Sequence, residues 1–458
     1  MSRDFGGLEA FTLENMQKAK IPGLSIGIVE SDKVIYARGF GFSDIASGIQ
    51  ATPRTLYGIG SVTKSFTALG IIQLLEEGKI RLDDSVEKYL PLKLQSLGVP
   101  VTIHHLLTHS SGIPDLAYAD AFMNGVLGYD NSWLPVSSAE DVIAFMSDAN
   151  DWAVSKPGER FFYLNEGYVL LGQIISKLSG LAYEDYVDQR ILRPLKMDRT
   201  FFFKADVEKD GDKATPYIVN KEGGHLPSVF PYGISSDGGL ISNVIDLSNY
   251  VKMCLNKGEF EGEKLLNRQT FEKIETPHIL EPSETFGKDS YGYGWEIIPD
   301  FYGAKLVNHG GSVSVYTAHV AYLPERNVGV SVLANSGGLE PSIGLYALSQ
   351  LIGEDPKTLP FLKVDRVLSR LEGQYETYKG TLKITIKKKK GILYFEYRNK
   401  YEEEVFPLTP ERLEEDRATF YVIAGGVKTT MEFRMSDDKV ELIGDRAKFV
   451  KKAKTEQT

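Results

Sequence analysis

Apolar positions along this chain keep two periods, and the elements change where one period gives way to the other. From Pro22 the run PGLSIGIVESDKVIYARGFG predicts two strands joined by a short turn at Glu30-Ser31-Asp32-Lys33. After Ser61 the spacing becomes helical: Phe66, Leu69, Ile72 and Leu75 form one face, with Gly78 as the expected stop. From about residue 85 to 230, helical segments mix with loops rich in Gly, Pro and Ser. The clearest helix covers 166–178, with Val169, Leu170, Ile174 and Leu178 on its apolar side. Strand-like runs return at 305–308, 318–322 and 328–334, followed by an apolar helix near 343–352. Pairing of the early and late strands across the helical insertion would give an α+β domain over residues 1–352.

Residues 353–366 read as a linker, opening with the proline-containing, charged GEDPKTLP. Over 367–458 the period is two: Leu382, Ile384 and Ile386 alternate with polar residues, as do Leu393, Phe395 and Tyr397, and later Met431 and Phe433. Turn signals at Lys390-Gly391, Arg398-Asn399 and Gly425-Gly426 make this an all-β unit of about 90 residues, a small antiparallel barrel or sandwich.

Composition narrows the field. The 458 residues are 42% hydrophobic and 25% charged, the profile of a soluble globular protein of two or three folding units. A net charge of −10 argues against a nucleic-acid binder. No apolar run is long enough for a membrane span, and the N-terminus does not read as a secretory signal. The single cysteine, Cys254, sits in a helical apolar pattern and reads as a buried structural thiol; a cytoplasmic protein is the simple expectation.

Candidate chemistry begins at GIGSVTKSF, where Ser61 and Lys64 lie three residues apart at a helix start. That spacing puts hydroxyl and amine on one face, with unpaired N–H groups nearby for a developing oxyanion. A desolvated Lys there can accept the hydroxyl proton. The spacing alone means little, since Ser436-Asp437-Asp438-Lys439 repeats it in a surface turn. Tyr163-Leu164-Asn165 likewise has a decoy in Tyr397-Arg398-Asn399. Order and context carry more: Ser61-x-x-Lys64, then Tyr163-x-Asn165, then His309-Gly310-Gly311-Ser312, with TIHHLLTHSSGIP, YVLLGQII, SSDGGLISNVIDL and YGYGW around them.

On those motifs residues 1–350 resemble the serine β-lactamase and penicillin-binding-protein superfamily, most of all its class C, CubicO-like and D-aminopeptidase/esterase branch. The later unit resembles the lipocalin-like C-terminal barrels of some members, an arrangement similar to that of archaeal self-compartmentalising serine peptidases. The resemblance implies an antiparallel sheet with a helical subdomain, Ser61 as acylating nucleophile, Lys64 as its base and Tyr163 as proton shuttle. It also implies that Asn165 positions substrate and that the N–H groups of Ser61 and Ser312 form the oxyanion hole. No metal or organic cofactor is implied.

Where relatives usually carry Lys-Thr-Gly, this chain has His309-Gly310-Gly311, and a His is mostly neutral at pH 7. Tight binding of a free carboxylate is therefore not expected, which disfavours β-lactamase and D,D-carboxypeptidase action. Short peptides, including ones with D-residues, are the expected substrates, with small acyl esters the alternative and a non-catalytic ligand-binding or assembly protein the remaining one. A homo-oligomer is expected, by resemblance an enclosed homo-octamer whose C-terminal domains help close off the sites. Glu166 reads as a favourable first-turn acid, and His104, His105 and His109 as structural; Tyr232 and Tyr316 are candidates to line the cleft.

Overall fold

The segment after Pro22 folds as the hairpin Gly23–Glu30 and Lys33–Asp44, and the first of these strands pairs antiparallel with Val328–Ala334, Leu24 opposite Ala334. These strands belong to a nine-stranded antiparallel sheet ordered Ile279–Leu280, Ser290–Tyr291, Glu296–Phe301, Ala304–Ser312, Thr317–Leu323, Val328–Ala334, Gly23–Glu30, Lys33–Asp44 and Ile49–Gln50. The early and late strands therefore do close one sheet around the helical insertion, as expected from their strand-like runs, which are buried on both faces. The computed structural model describes residues 3–129, 134, 136, 138–233, 235–338 and 341–452.

The helix expected after Ser61 runs Thr63–Glu76, preceded by a 3-10 turn at Gly60–Val62 that carries the serine. It is not half-exposed, as a single apolar face would suggest. Every residue from Thr63 to Leu74 is buried, against the helix Asn165–Ser179 on one side and against Tyr250, which stacks on Phe66, on another. Its polar side chains are buried because each finds a partner: Ser65 donates to the Val62 carbonyl and Thr67 to that of Ser236.

The chain divides into two units after Pro356. The segment read as a linker instead begins a helix, Pro360–Leu371, with proline at its first turn. Its Val367, Leu368 and Leu371 share one core with barrel residues such as Ile386, Leu393, Phe420 and Phe433. Val364, Val367, Leu368 and Leu371 keep helical spacing here, a signal that the reading as a linker passed over in favour of the prolines and charges ahead of it. The second unit closes as an eight-stranded antiparallel barrel from Gly373–Glu376 to Lys448–Lys451. Ile384 and Ile386 point into its core as the alternation requires; Leu382, just ahead of its strand, is exposed.

Candidate active site

Three segments far apart in sequence meet at Ser61. Lys64, fully buried, donates to Ser61 Oγ at 3.1 Å, to Asn165 Oδ1 at 2.8 Å and to the backbone carbonyl of Asp237 at 2.8 Å. Among the described residues it makes no ion pair. Burial therefore dominates and pulls its pKa down to about 8, with the carboxyl groups of Asp237, Asp115 and Glu166 acting in the opposite direction. An amine so placed loses its proton more readily than a surface lysine, by about a hundredfold or more, and is aimed at the serine hydroxyl.

Tyr163 completes this side. Its phenol lies beside Ser61, its ring lies 4.9 Å from Lys64 Nζ, and it stacks on His109 with ring centroids 4.1 Å apart. Burial pushes the phenol pKa well above its ordinary value, so the group is a neutral donor and acceptor. His109 braces the segment: its carbonyl accepts from Phe162 N and its Nδ1 from Leu164 N. The histidine read as structural is structural, but what it supports is the tyrosine.

The facing wall is the strand Ala304–Ser312. A Cβ on Gly311 would lie 1.9 Å from the Ile59 carbonyl and 3.2 Å from Ser61 N, and one on Gly60, whose φ is +50°, would lie 2.6 Å from Ser312 N. Only glycines allow this backbone contact, which sets the N–H groups of Ser61 and Ser312 on one wall. Gly310, by contrast, has open space where its side chain would be.

His309 is 2% exposed, with Nδ1 against its neighbour's carbonyl and Nε2 accepting from the Tyr291 hydroxyl at 2.9 Å. Burial depresses its pKa to about 3, leaving a neutral imidazole with both nitrogens occupied.

Two cavities open from the serine. One, of about 260 Å³, is lined by Tyr118, Phe122, Met123, Asn165, Asp237 and Ser312; the other, of about 500 Å³, by Tyr163, Glu296, Asn308, His309 and Gly310. Among the described residues that line these cavities there is no lysine or arginine, while Lys64 Nζ bonds Ser61 Oγ. Tyr118, Asp237, Tyr291 and Glu296 were not singled out from sequence. Asp237 lay inside the quoted SSDGGLISNVIDL, yet nothing in that phrase shows that its carbonyl meets Lys64, 173 positions away.

Other readings fall elsewhere. Tyr316 is buried between Tyr57 and Phe230 and donates to the Ala214 carbonyl; neither it nor Tyr232 lines these cavities. His105 caps its helix through Thr102, and His104 packs with Tyr293 and His278. Glu166 is no surface first-turn acid: it is fully buried, accepts from Tyr118 N at 3.2 Å, and burial beside Asp115 raises its pKa to about 8. Among the described residues no cluster of His, Cys, Asp or Glu is arranged to hold a metal, and no helix is long and apolar enough to cross a membrane.

Residues 8–351 match the Beta-lactamase family model. The chain belongs to the β-lactamase family. That family is of the serine hydrolase and acyl-transfer type, and its β-lactamase-like domain is here the large antiparallel sheet with its helices. Residues 356–450 match the Pab87 octamerisation domain. The family member is 32% identical over 333 residues to Protein flp of Staphylococcus aureus, covering 70% of this chain and 61% of that protein's length. It is 28% identical over 436 residues to penicillin-binding protein 4* of Bacillus subtilis, covering 89% of each. The octameric penicillin-binding protein homologue from Pyrococcus abyssi is similar throughout: 49% identity, TM-score 0.94, 98% of this chain and 100% of that one.

Proposed function

We propose that this protein is a serine hydrolase working through an acyl-enzyme, with Ser61 as nucleophile, Lys64 as base and Tyr163 as proton shuttle, and that its substrates are short peptides, including ones with D-residues. The observation that carries the reading is a fully buried lysine without an ion-pair partner, 3.1 Å from a serine hydroxyl that lines the cleft.

In this reading the neutral amine of Lys64 takes the Ser61 proton as Oγ attacks the substrate carbonyl. The carbonyl oxygen, now negative, faces the N–H groups of Ser61 and Ser312. The proton on Lys64 passes to the leaving amine through the Tyr163 phenol, which its raised pKa keeps protonated between transfers. Asn165 holds Lys64 through its Oδ1, leaving its amide NH₂ for a substrate carbonyl. Water then attacks the acyl-serine by the same groups in reverse.

The neutral, fully hydrogen-bonded His309 supports the expectation that a free substrate carboxylate finds no cation here, against penicillinase and D,D-carboxypeptidase action. An ester expels an alkoxide, which leaves more easily than an amide nitrogen and depends less on protonation, so small acyl esters are the second reading. For the assembly we extend to this chain the octamer named for the Pyrococcus relative, supported by coverage of nearly the whole of both chains and by the match of residues 356–450. The lone buried Cys254 fits a cytoplasmic protein.

The test is mass spectrometry of products from matched peptides, all-L and with one D-residue, using wild type and Ser61→Ala. Cleavage by wild type alone supports the reading; cleavage by both removes Ser61 from the mechanism, and cleavage by neither favours the ester alternative.

A further inference from the structure

We infer that the larger cavity beside Ser61 is a subsite for a primary ammonium group of the substrate, received by the Glu296 carboxylate with the Asn308 amide beside it. The inference rests on the acyl-transfer reading of Ser61 and names the substrate chemistry that the site selects.

Glu296 stands in the wall of the cavity that Ser61 and Tyr163 also line. Among the described residues it accepts no hydrogen bond and makes no ion pair, and only Asp289, another carboxyl, is named among the charges that act on it. Glu296 is only partly exposed, and partial burial together with the Asp289 charge raises its pKa, here to about 7. Behind it the same condition repeats. Glu281 is raised to about 8 by burial and by the charges of Glu296 and Asp289, while Asp289 itself is 7% exposed and has one oxygen without a partner. The three carboxyl groups thus lie near enough to act on one another by charge, and among the described residues none of them makes an ion pair.

The second observation is independent of charge. Asn308 is 5% exposed and lines the same cavity. Its Oδ1 is engaged by His319 Nε2 at 3.3 Å, but its Nδ2 has no partner. Buried amide hydrogens are rarely left unused unless a ligand or water supplies the acceptor. Glu296 lies directly across the strand pair from Asn308 in the wall of this cavity of about 500 Å³ that reaches the serine, and a carboxylate without a donor beside an amide without an acceptor fits a substrate ammonium held on Glu296. No metal explains the carboxyls, since no group among the described residues is placed to share one.

An ammonium has two sources in a peptide, the N-terminus or a basic side chain, and the experiment separates them. Isothermal titration of Ser61→Ala, which binds without turnover, would use three probes: Phe-Ala-amide, its N-acetylated form, and N-acetyl-Lys-Ala-amide. With a terminal ammonium the first binds about tenfold or more tighter than the second; with a side-chain ammonium only the third does. Binding near pH 7 also ionises the half-protonated Glu296 and releases a fraction of a proton, visible as a dependence of the heat on the buffer. In Ser61→Ala/Glu296→Gln both the preference and the proton release disappear, while a matching melting temperature shows that the fold is kept. Equal binding of all three probes, or a preference that survives Glu296→Gln, overturns the subsite. Since these probes test binding alone, that outcome is separate from failure of wild type to cleave any peptide or ester, which would overturn the hydrolase reading.

Discussion

Lys64 bonds to the backbone carbonyl of Asp237, not to its carboxylate, which instead accepts the Tyr118 hydroxyl. The distinction governs the lysine's chemistry. A direct carboxylate partner would hold it charged, whereas a carbonyl orients it and leaves desolvation in command.

The rate should therefore rise with pH as Lys64 loses its proton, with kcat/KM climbing through about pH 8. Asp237 raises the Lys64 pKa through its charge, so Asp237→Asn should move that rising limb to lower pH while the carbonyl contact stays. A pH–rate profile of both proteins checks this; an unshifted limb would assign it to another group.

Removing the proposed base is a harsher change than tuning it. Lys64→Met should lower kcat by about 10³-fold or more, and Tyr163→Phe by about 10²-fold, with smaller effects on KM. Steady-state kinetics on the best peptide found for wild type is the measurement.

At Gly311 a methyl group is enough to matter. Its Cβ would sit 1.9 Å from the Ile59 carbonyl, so Gly311→Ala must part the strand from the serine loop, at a cost of about 1–3 kcal/mol in stability. Activity should fall further than stability alone explains, because the same shift separates Ser61 N from Ser312 N. Gly310→Ala, with open space at its Cβ, is the control and should melt near wild type.

Glu166 supplies a pH signature in stability. Its pKa is raised in the fold, so the stability tied to its protonated form is full below the ordinary carboxyl value of 4.5 and is lost as pH rises through about 8. Glu166→Gln keeps an acceptor for Tyr118 N and never ionises. The variant's melting temperature relative to wild type should therefore increase from pH 6 to pH 9; a constant difference would mean that the carboxyl does not titrate in that window.

Much of this was legible in the order of residues. The hairpin after Pro22, the buried strands 318–322 and 328–334, and the barrel's alternation at Ile384 and Ile386 follow from period alone, since side-chain direction along a strand or helix is a local property. So is the nearness of Ser61 to Lys64, one helical turn apart. What only the tertiary structure decided is the environment of those groups: the Asp237 carbonyl on Lys64, Tyr291 on His309, His109 beneath Tyr163, and Glu296 without a partner. The helix Pro360–Leu371 was legible too, in the helical spacing of Val364, Val367, Leu368 and Leu371, but the prolines and charges before it were read as a linker; only the barrel it packs on comes from the tertiary structure. Whether a charge is desolvated depends on which distant segments cover it, and no local spacing encodes that; the pKa values that turn a serine, a lysine and a glutamate into a site are properties of burial.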